Sequence, residues 1–357
     1  MTEHSNEHTI APPSPSASDA LARVGVVAIG RNEGERLRRC LGSLPRGVGG
    51  VVYVDSGSTD GSVELARSLG VVVVELDMSV PFTASRARNC GVEALRRSNT
   101  GIEHVHLLDG DCEMDPGWME SAVEEMGSAD DIAVVCGQRR ERSPEETVYN
   151  RICDIEWHGE PGDIAACGGD ALVRLAAFDA VGGYESSLIA GEEPEMCFRM
   201  RREGWRIRRL AGTMTWHDAA MTTAGQWWKR CVRAGHAAAE GAWMHGRSAE
   251  RYNVRRCVQI LVWSAVIPAI VIVAGAVWFP WGFAAALVYP SQWARLILRE
   301  LRRRPARDAC VYASHLALAK FPQMHGVLTF IARRALGRQS TLIEYKRGGA
   351  PADGAPG

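Results

Sequence analysis

The sequence lacks several features that mark common classes of protein. Lys and Arg number 41 against 42 Asp and Glu, so the chain has no excess of positive charge, and we expect no nucleic-acid partner. Its ten cysteines are scattered, and no two are spaced as Cys-x-x-Cys. A chain of 357 residues needs no disulfide framework, so reduced thiols in a cytosolic compartment are expected. The polar N-terminus has no apolar segment of the kind found in a secretory signal.

A further absence concerns the first apolar run, "VGVVAI" (24–29). No G-x-G-x-x-G follows it, which disfavours a dinucleotide-dependent oxidoreductase. Further short apolar runs occur at 51–54, 71–76 and 105–108, and helical patterns separate them. This alternation predicts an α/β fold with a parallel or mostly parallel sheet flanked by helices. In such sheets ligands bind beyond the carboxyl ends of the strands.

Composition divides the chain into five segments. Residues 1–22 are rich in Ser, Pro and Ala, and predict a disordered leader. The α/β domain is expected over 23–220, followed by amphipathic or interfacial helices over 221–256. We predict a hydrophobic helical hairpin and an amphipathic helix over 257–335, and a flexible tail over 336–357.

The hydrophobic segment predicts membrane association. Residues 257–294 contain no Asp, Glu, Lys or Arg, and a helix needs roughly 20 apolar residues to cross a bilayer. This is nearly enough for a hairpin that turns at "FPWG" (279–282). Arginines flank it on both sides: Arg251, Arg255 and Arg256 before, and Arg295, Arg299, Arg302, Arg303, Arg304 and Arg307 after. Both ends are therefore expected at the cytoplasmic face. The alternative is a buried helical pair in a soluble appendage.

The stretch "HVHLLDGDCEMDPGW" places Asp109 and Asp111 one residue apart at the end of an apolar run. Two carboxylates on such a loop can hold Mg²⁺ or Mn²⁺ against a diphosphate. Taken alone, the pair is a weak signal, because acidic triplets are frequent and an ordinary acidic turn explains them.

Two further loops follow predicted strands. In "GRNEGE", Asn32 and Glu33 either cap the next helix or contact a ligand. In "VDSGSTDGS", Asp55 either accepts a hydrogen bond from a base or ribose, or closes an Asx turn with Thr59 or Asp60 as the helix N-cap.

A third acidic element, "GEEPE", carries Glu192 and Glu193 at the start of a helix predicted from about 193 to 202. A carboxylate at a helix N-terminus is stabilised as the anion, which suits a general base. The alternative is an ordinary acidic first turn.

Taken together, the motifs between about Val24 and His217 resemble those of the inverting nucleotide-sugar glycosyltransferases of family 2, in the expected order. The segments that carry the resemblance are "VVAIGRNEGERLRRCLGSL", "VVYVDSGSTDGS", "ASRARNCGVEAL", "LLDGDCEMDPGW", and "CGGDALVRLAAFDAVGGYE" followed by "GEEPEMCFRMRREGW". The resemblance, which is to bacterial members, implies a GT-A fold, Mn²⁺ or Mg²⁺ as cofactor, and a nucleotide-sugar donor, with UDP-sugars favoured.

Position by position, the resemblance assigns Asp55 to the nucleobase, and Asp109 and Asp111 to the diphosphate and the metal. Arg88 is expected near the nucleotide. Asn32 and Glu33 match the Asn-Glu loop of the donor site.

The same resemblance makes Glu193 the catalytic base where the family usually has aspartate, and either Glu193 or the preceding Glu192 could serve. Ser56 occupies a position that often holds a second aspartate. His217 resembles a late histidine that completes the metal shell in some GT-A enzymes; a structural role is the alternative.

These expectations describe a metal-dependent enzyme that transfers a sugar, with inversion, to a hydroxyl of a glycan or lipid-linked acceptor. The reaction would serve cell-envelope or exopolysaccharide synthesis at the cytoplasmic face of the plasma membrane. One alternative is a processive polysaccharide synthase, for which several membrane spans are expected. Another is a catalytically silent membrane scaffold that retains a nucleotide-binding fold.

Overall fold

A computed structural model describes residues 17–338, and the sheet dominates its first two thirds. The strands are β1 (Val24–Gly30), β2 (Gly50–Asp55), β3 (Val72–Glu75), β4 (His104–Asp109), β5 (Cys112–Met114), β6 (Ile132–Glu141), β7 (Gly162–Asp163), β8 (Ala171–Arg174) and β9 (Arg206–His217). Their order in the sheet is β3-β2-β1-β4-β8-β6-β9-β5, and β7 pairs with β9.

The first four strands in this order are parallel, as predicted. β1 is almost wholly buried, which accounts for its continuous apolar sequence. The second half of the sheet is mixed. β8 runs antiparallel to both β4 and β6, whereas β9 is parallel to β6 and antiparallel to β5. The sheet is therefore parallel from β3 to β4 and mixed beyond β4.

Helices cover both faces of the sheet. They are α1 (Ala17–Ala22), α2 (Glu35–Gly42), α3 (Ser62–Ser68), α4 (Ala84–Ser98), α5 (Trp118–Gly127), α6 (Val148–Trp157), α7 (Leu175–Ala180) and α8 (Glu192–Arg202). α4 approaches β1 so closely that a Cβ on Gly91 would lie 2.3 Å from Cγ1 of Val27. α5 begins at Trp118, directly after a turn at Gly117 that takes a φ of +79°.

The predicted leader and tail fall mainly outside the described residues. Residues 1–16 and 339–357 are not described. Residues 17–22 of the expected leader form α1, and the buried side chain of Leu21 joins the core of the sheet domain.

The remaining helices follow β9. They are α9 (Ala224–His245), α10 (Val254–Leu261), α11 (Ile267–Val277), α12 (Val288–Glu300), α13 (Ala306–Leu318) and α14 (Lys320–Ala335). α9 begins with a capping box formed by Thr223 and Gln226. It crosses α14 at very short range, because a Cβ on Gly235 would lie 2.0 Å from the carbonyl oxygen of Gln323.

The hydrophobic segment forms a long helix and a shorter return. α10, a π-helical segment (Val262–Val266) and α11 make one helix of 24 residues that is long and apolar enough to cross a membrane. The chain then turns, and a 3-10 segment (Trp281–Leu287) packs Phe283 against Gly275 before α12 continues. Apolar side chains of the long helix, including Ile272 at 65% exposure, face outward. The helical pair is therefore not the buried one considered as an alternative.

Candidate active site

The two aspartates of the D-x-D motif meet His217 at the edge of the sheet. Asp109 ends β4, and Cys112 begins β5, where it pairs directly opposite His217 of β9. One ligand atom from each of Asp109, Asp111, Cys112 and His217 lies within 4.8 Å of the others. The pairing of β5 with β9 thus brings the late histidine to the D-x-D loop, where the resemblance implied a metal ligand.

The chemistry of this cluster fits Mn²⁺ or Mg²⁺. Asp111 Oδ1 lies 3.4 Å from His217 Nε2, and both side chains are buried. Carboxylate oxygens with an imidazole nitrogen suit a fairly hard divalent cation. Burial raises the pKa of the Cys112 thiol well above its usual value. A soft sulfur ligand also suits Mn²⁺ or Mg²⁺ less well than carboxylate oxygens. Asp109, Asp111 and His217 lie close enough together to serve as the predicted donor set, and their role as metal ligands stays a prediction.

Asp109 also belongs to a buried ionic network. Its carboxylate accepts from Arg88 at 2.8 Å and lies 3.7 Å from Arg139. Burial raises the pKa of Asp109, but the two guanidinium groups outweigh that effect and hold its pKa below the usual value. Asp109 therefore stays ionised, between a candidate metal position and Arg88.

Asp170 is fully buried beside this network, and the sequence analysis did not single it out. It forms an ion pair with Arg139 at 2.9 Å, and it accepts hydrogen bonds from Thr215 Oγ1 at 2.7 Å and from the backbone N–H of Asp109 at 3.2 Å. It therefore holds the end of β4 in place. The neighbouring backbone packs closely against the same network, because a Cβ on Gly169 would lie 2.9 Å from both Arg88 Nη2 and Asp109 Oδ2.

Arg88 joins the D-x-D motif to the glutamate pair. Its Nη1 atom lies 2.7 Å from Glu193 Oε1 and 3.2 Å from Glu192 Oε1, and the guanidinium stacks over the Tyr184 ring at 5.6 Å. The arginine is 3% exposed. One buried guanidinium group therefore contacts both Asp109 of the D-x-D motif and the glutamate pair of α8.

Glu192 and Glu193 open α8 after Gly191, which has a φ of +79°. Burial, followed by repulsion from Glu192, raises the pKa of Glu193 to about 7, despite Arg88. Here burial outweighs the helix terminus, which by itself favours the anion. A carboxylate with a pKa near neutrality is well suited to act as a general base.

The side chain of Asp55 is engaged by its own turn. It accepts hydrogen bonds from Tyr53 Oη at 3.0 Å and from the backbone N–H groups of Gly57 and Ser58 at 2.9 and 2.8 Å. Asp60 accepts from the N–H of Ser62 at 3.0 Å, in the first turn of α3. The Asx-turn geometry is therefore present, but the N-cap of α3 is Gly61 and neither Thr59 nor Asp60. The nucleobase contact of Asp55 stays a prediction.

Asn32 and Glu33 cap no helix, because Gly34 is the N-cap of α2. Asn32 instead connects the first two loops: its backbone N–H donates to Ser58 Oγ at 2.8 Å, and its side chain accepts from the N–H of Thr59 at 2.8 Å. Asn32 adopts a φ of +55°, a conformation that asparagine tolerates better than most residues.

The parallel register explains why these loops converge. Gly30 pairs with Asp55 across β1 and β2, and Ile29 pairs with Asp109 across β1 and β4. The ends of three parallel strands therefore lie side by side, with the loop of Asn32 between the other two.

Comparisons with known proteins agree with the family that the sequence motifs predicted. Residues 26–168 match the family model of glycosyl transferase family 2. They form a family 2 glycosyltransferase domain. The succinoglycan biosynthesis protein ExoA of Rhizobium meliloti is 30% identical over 169 residues, which cover 44% of this chain and 50% of that protein. The glycosyltransferase AglE of Haloferax volcanii is 24% identical over 262 residues, covering 70% of this chain and 82% of that protein.

A solved structure resembles this chain over most of its length. It is the mannosyltransferase PcManGT from Pyrobaculum calidifontis in complex with GDP-Man and Mn²⁺, with a TM-score of 0.50, 16% identity, and coverage of 88% of this chain and 86% of that one. The predictions of family 2 membership and of a GT-A fold are confirmed. The match to ExoA spans half of that relative's length. The roles of individual residues stay predictions.

Proposed function

We propose that this protein transfers a sugar from a nucleotide-sugar donor, with inversion, to a hydroxyl of a glycan or a lipid-linked acceptor. UDP-sugars are the favoured donors, and the reaction would contribute to cell-envelope or exopolysaccharide synthesis. PcManGT was solved with a nucleotide-sugar and Mn²⁺, which is consistent with a metal-dependent donor site in this fold.

One observation carries the proposal. Arg88 contacts Asp109 of the D-x-D motif on one side and Glu193 of α8 on the other, at 2.8 and 2.7 Å. A leaving diphosphate and an attacking hydroxyl must lie on opposite sides of one anomeric carbon in an inverting displacement. The spacing of these carboxylates about one arginine supports that arrangement.

In this mechanism Asp109, Asp111 and His217 would hold a divalent cation, which stabilises the charge that develops on the departing diphosphate. Asn32, Glu33 and Asp55 would orient the nucleotide from the neighbouring loops. Glu193 would remove the proton of the acceptor hydroxyl, with Glu192 beside it. Arg88 would hold Glu193 and Asp109 in position until donor binding supplies new anionic partners.

We further propose that the long helix Val254–Val277 associates with the plasma membrane and that catalysis takes place at its cytoplasmic face. Its exposed apolar side chains and the arginines at its start support membrane association with the N-terminal end of the helix at the cytoplasmic face. ExoA is named as a succinoglycan biosynthesis protein, which is consistent with a polysaccharide acceptor.

Donor hydrolysis tests the proposal without a known acceptor. Purified full-length protein is incubated with a panel of UDP- and GDP-sugars, with Mn²⁺ or with EDTA, and nucleotide release is measured. We expect Mn²⁺-dependent release from at least one donor, and a rise in melting temperature with that donor. No release and no thermal shift with any donor would favour the silent scaffold instead. Synthesis of a long polymer from the donor alone would favour the processive synthase.

A further inference from the structure

A cavity of about 600 Å³ lies outside the catalytic site, where the start of the apolar helix meets α13 and α14. Four cationic side chains line it: Arg251, Arg255, Arg256 and Lys320. Tyr252 is also in its wall, and the backbone of the loop before α10 takes positive φ values at Arg251 and Asn253. The cavity is therefore formed by a defined turn and is predominantly cationic.

The carboxylates in the wall of this cavity are engaged elsewhere. Glu250 pairs with Arg201 of α8 through both of its oxygens, at 2.6 and 2.8 Å. Glu156 pairs with Arg230 and with His315. Within residues 17–338, no salt bridge neutralises any of the four cations. The cavity has a positive charge that its own wall does not balance.

The cavity lies at the end of the apolar helix where a membrane surface is expected. Arg255 and Arg256 lie in the first turn of the helix Val254–Val277, whose charge-free part begins at Cys257. The N-terminal end of this helix adds a partial positive charge at the same place. If the apolar helix enters a bilayer, these groups lie at the level of the lipid phosphates.

We propose that this cavity binds a phosphate or diphosphate group carried by a membrane lipid. The lipid-phosphate site rests on the membrane association proposed above, and the choice of an acceptor lipid rests also on the proposed sugar transfer. A lipid diphosphate has the charge and size to contact several of the four cations at once. Burial, followed by repulsion from Arg256, lowers the pKa of Lys320, as expected for a cation without an anion beside it.

The cavity also adjoins two elements of the catalytic domain. Glu156 in its wall precedes Trp157, whose ring packs edge-on against His217 at 4.5 Å. Tyr252 packs on Phe198 of α8, the helix that begins with the glutamate pair. A lipid-linked acceptor held here by its diphosphate would lie beside both elements, so we favour that lipid over a bulk phospholipid.

Vesicle binding of the full-length protein tests the proposal. The vesicles are phosphatidylcholine alone, phosphatidylcholine with phosphatidylglycerol, and phosphatidylcholine with a polyprenyl diphosphate, the last two matched in surface charge. We expect the tightest binding to the polyprenyl diphosphate vesicles. Lys320→Met should weaken that binding by about fivefold, whereas Lys229→Met, an exposed lysine on α9, should change it by less than about twofold.

A second pair of variants guards against misfolding of Lys320→Met. Arg255→Ala/Arg256→Ala removes two cations from the cavity, and Arg302→Ala/Arg303→Ala removes two exposed arginines beyond α12. Equal losses of vesicle binding in the two double variants, or in the two lysine variants, would show that general surface charge causes the effect. Either result would overturn the proposal. Tighter binding to phosphatidylglycerol than to polyprenyl diphosphate would overturn the choice of lipid.

Competition with inorganic diphosphate distinguishes a site for a lipid from a site for a free anion. Added to the vesicles at millimolar concentration, it should compete only weakly, because it lacks the membrane anchor. Complete displacement would instead indicate a soluble ligand and would overturn the lipid assignment. Donor hydrolysis measured on the same preparations tests the proposed reaction separately, since it does not require this cavity.

Discussion

The Nε2 atom of His217 lies 3.4 Å from Oδ1 of Asp111, and both side chains are buried. The two residues come from distant parts of the chain and meet because β5 pairs with β9. This contact turns a two-carboxylate motif into a candidate three-residue metal site, and the first two predictions follow from it.

Replacing Asp111 with asparagine should abolish the Mn²⁺ dependence of donor hydrolysis and lower its rate by at least about 100-fold, because a metal ligand contributes more than an outer partner of the metal. The rate at increasing Mn²⁺ concentration is the measurement. Asp130→Asn, an exposed aspartate before β6, is the matched control. Unchanged kinetics in Asp111→Asn would refute the metal assignment.

His217→Gln should weaken Mn²⁺ binding by about 10- to 100-fold, because the imidazole nitrogen is lost from the donor set. Calorimetric titration with Mn²⁺ checks this, with His325→Gln, an exposed histidine on α14, as the control. A fall in melting temperature with unaltered Mn²⁺ affinity would assign His217 the structural role instead.

Glu193→Gln should lower the rate of donor hydrolysis by about 10²- to 10⁴-fold, the usual contribution of a general base. The affinity for the donor should change little, because the amide occupies nearly the same volume. Glu192→Gln is the matched comparison, with a smaller expected loss. The opposite order of the two losses would make Glu192 the base.

The pKa of about 7 at Glu193 predicts how the rate of donor hydrolysis depends on pH. A base acts in its ionised form, and a raised pKa keeps Glu193 protonated in mild acid. The rate should therefore fall about tenfold per pH unit below neutrality and level off above it. A rate profile measured between about pH 5 and pH 9 checks this. A plateau that extends down to pH 5 would exclude Glu193 as the titrating base.

Arg88→Ala should destabilise the fold by about 3–5 kcal/mol, because it leaves the buried Glu192 and Glu193 and the half-buried Asp109 without their common cation. Denaturant unfolding provides the measurement. Arg97→Ala removes an exposed arginine from the same helix, where its pair with Glu93 contributes little. Equal stability of the two variants would mean that Arg88 does not hold the network together.

The parallel half of the sheet could be predicted because the sequence signals for its strands and loops are local. Each parallel strand is a short apolar run, and the residues that follow it are polar or acidic, so Asp55 and Asp109 could be placed at strand ends from their sequence alone. Parallel register then brings such ends to one edge of the sheet. The same reasoning predicted a helix that begins at the glutamate pair.

Arg139 and Asp170 were not predicted because nothing local distinguishes them. Each lies in an unremarkable polar position, and its importance comes from pairing across strands: β8 inserts antiparallel between β4 and β6, which places Asp170 against the backbone of Asp109. Sequence periodicity predicts which residues face inward, but not which strands become neighbours.

Local sequence was enough to predict the family resemblance, the GT-A fold and the strand-end position of the acidic motifs, because apolar periodicity and short motifs act over a few residues. The tertiary structure brings His217 to Asp111 and places Arg88 between Asp109 and Glu193. It also decided that burial raises the pKa of Glu193 to about 7, and that four cations surround one cavity beside the apolar helix. These properties depend on distances between residues far apart in the chain, which packing alone sets.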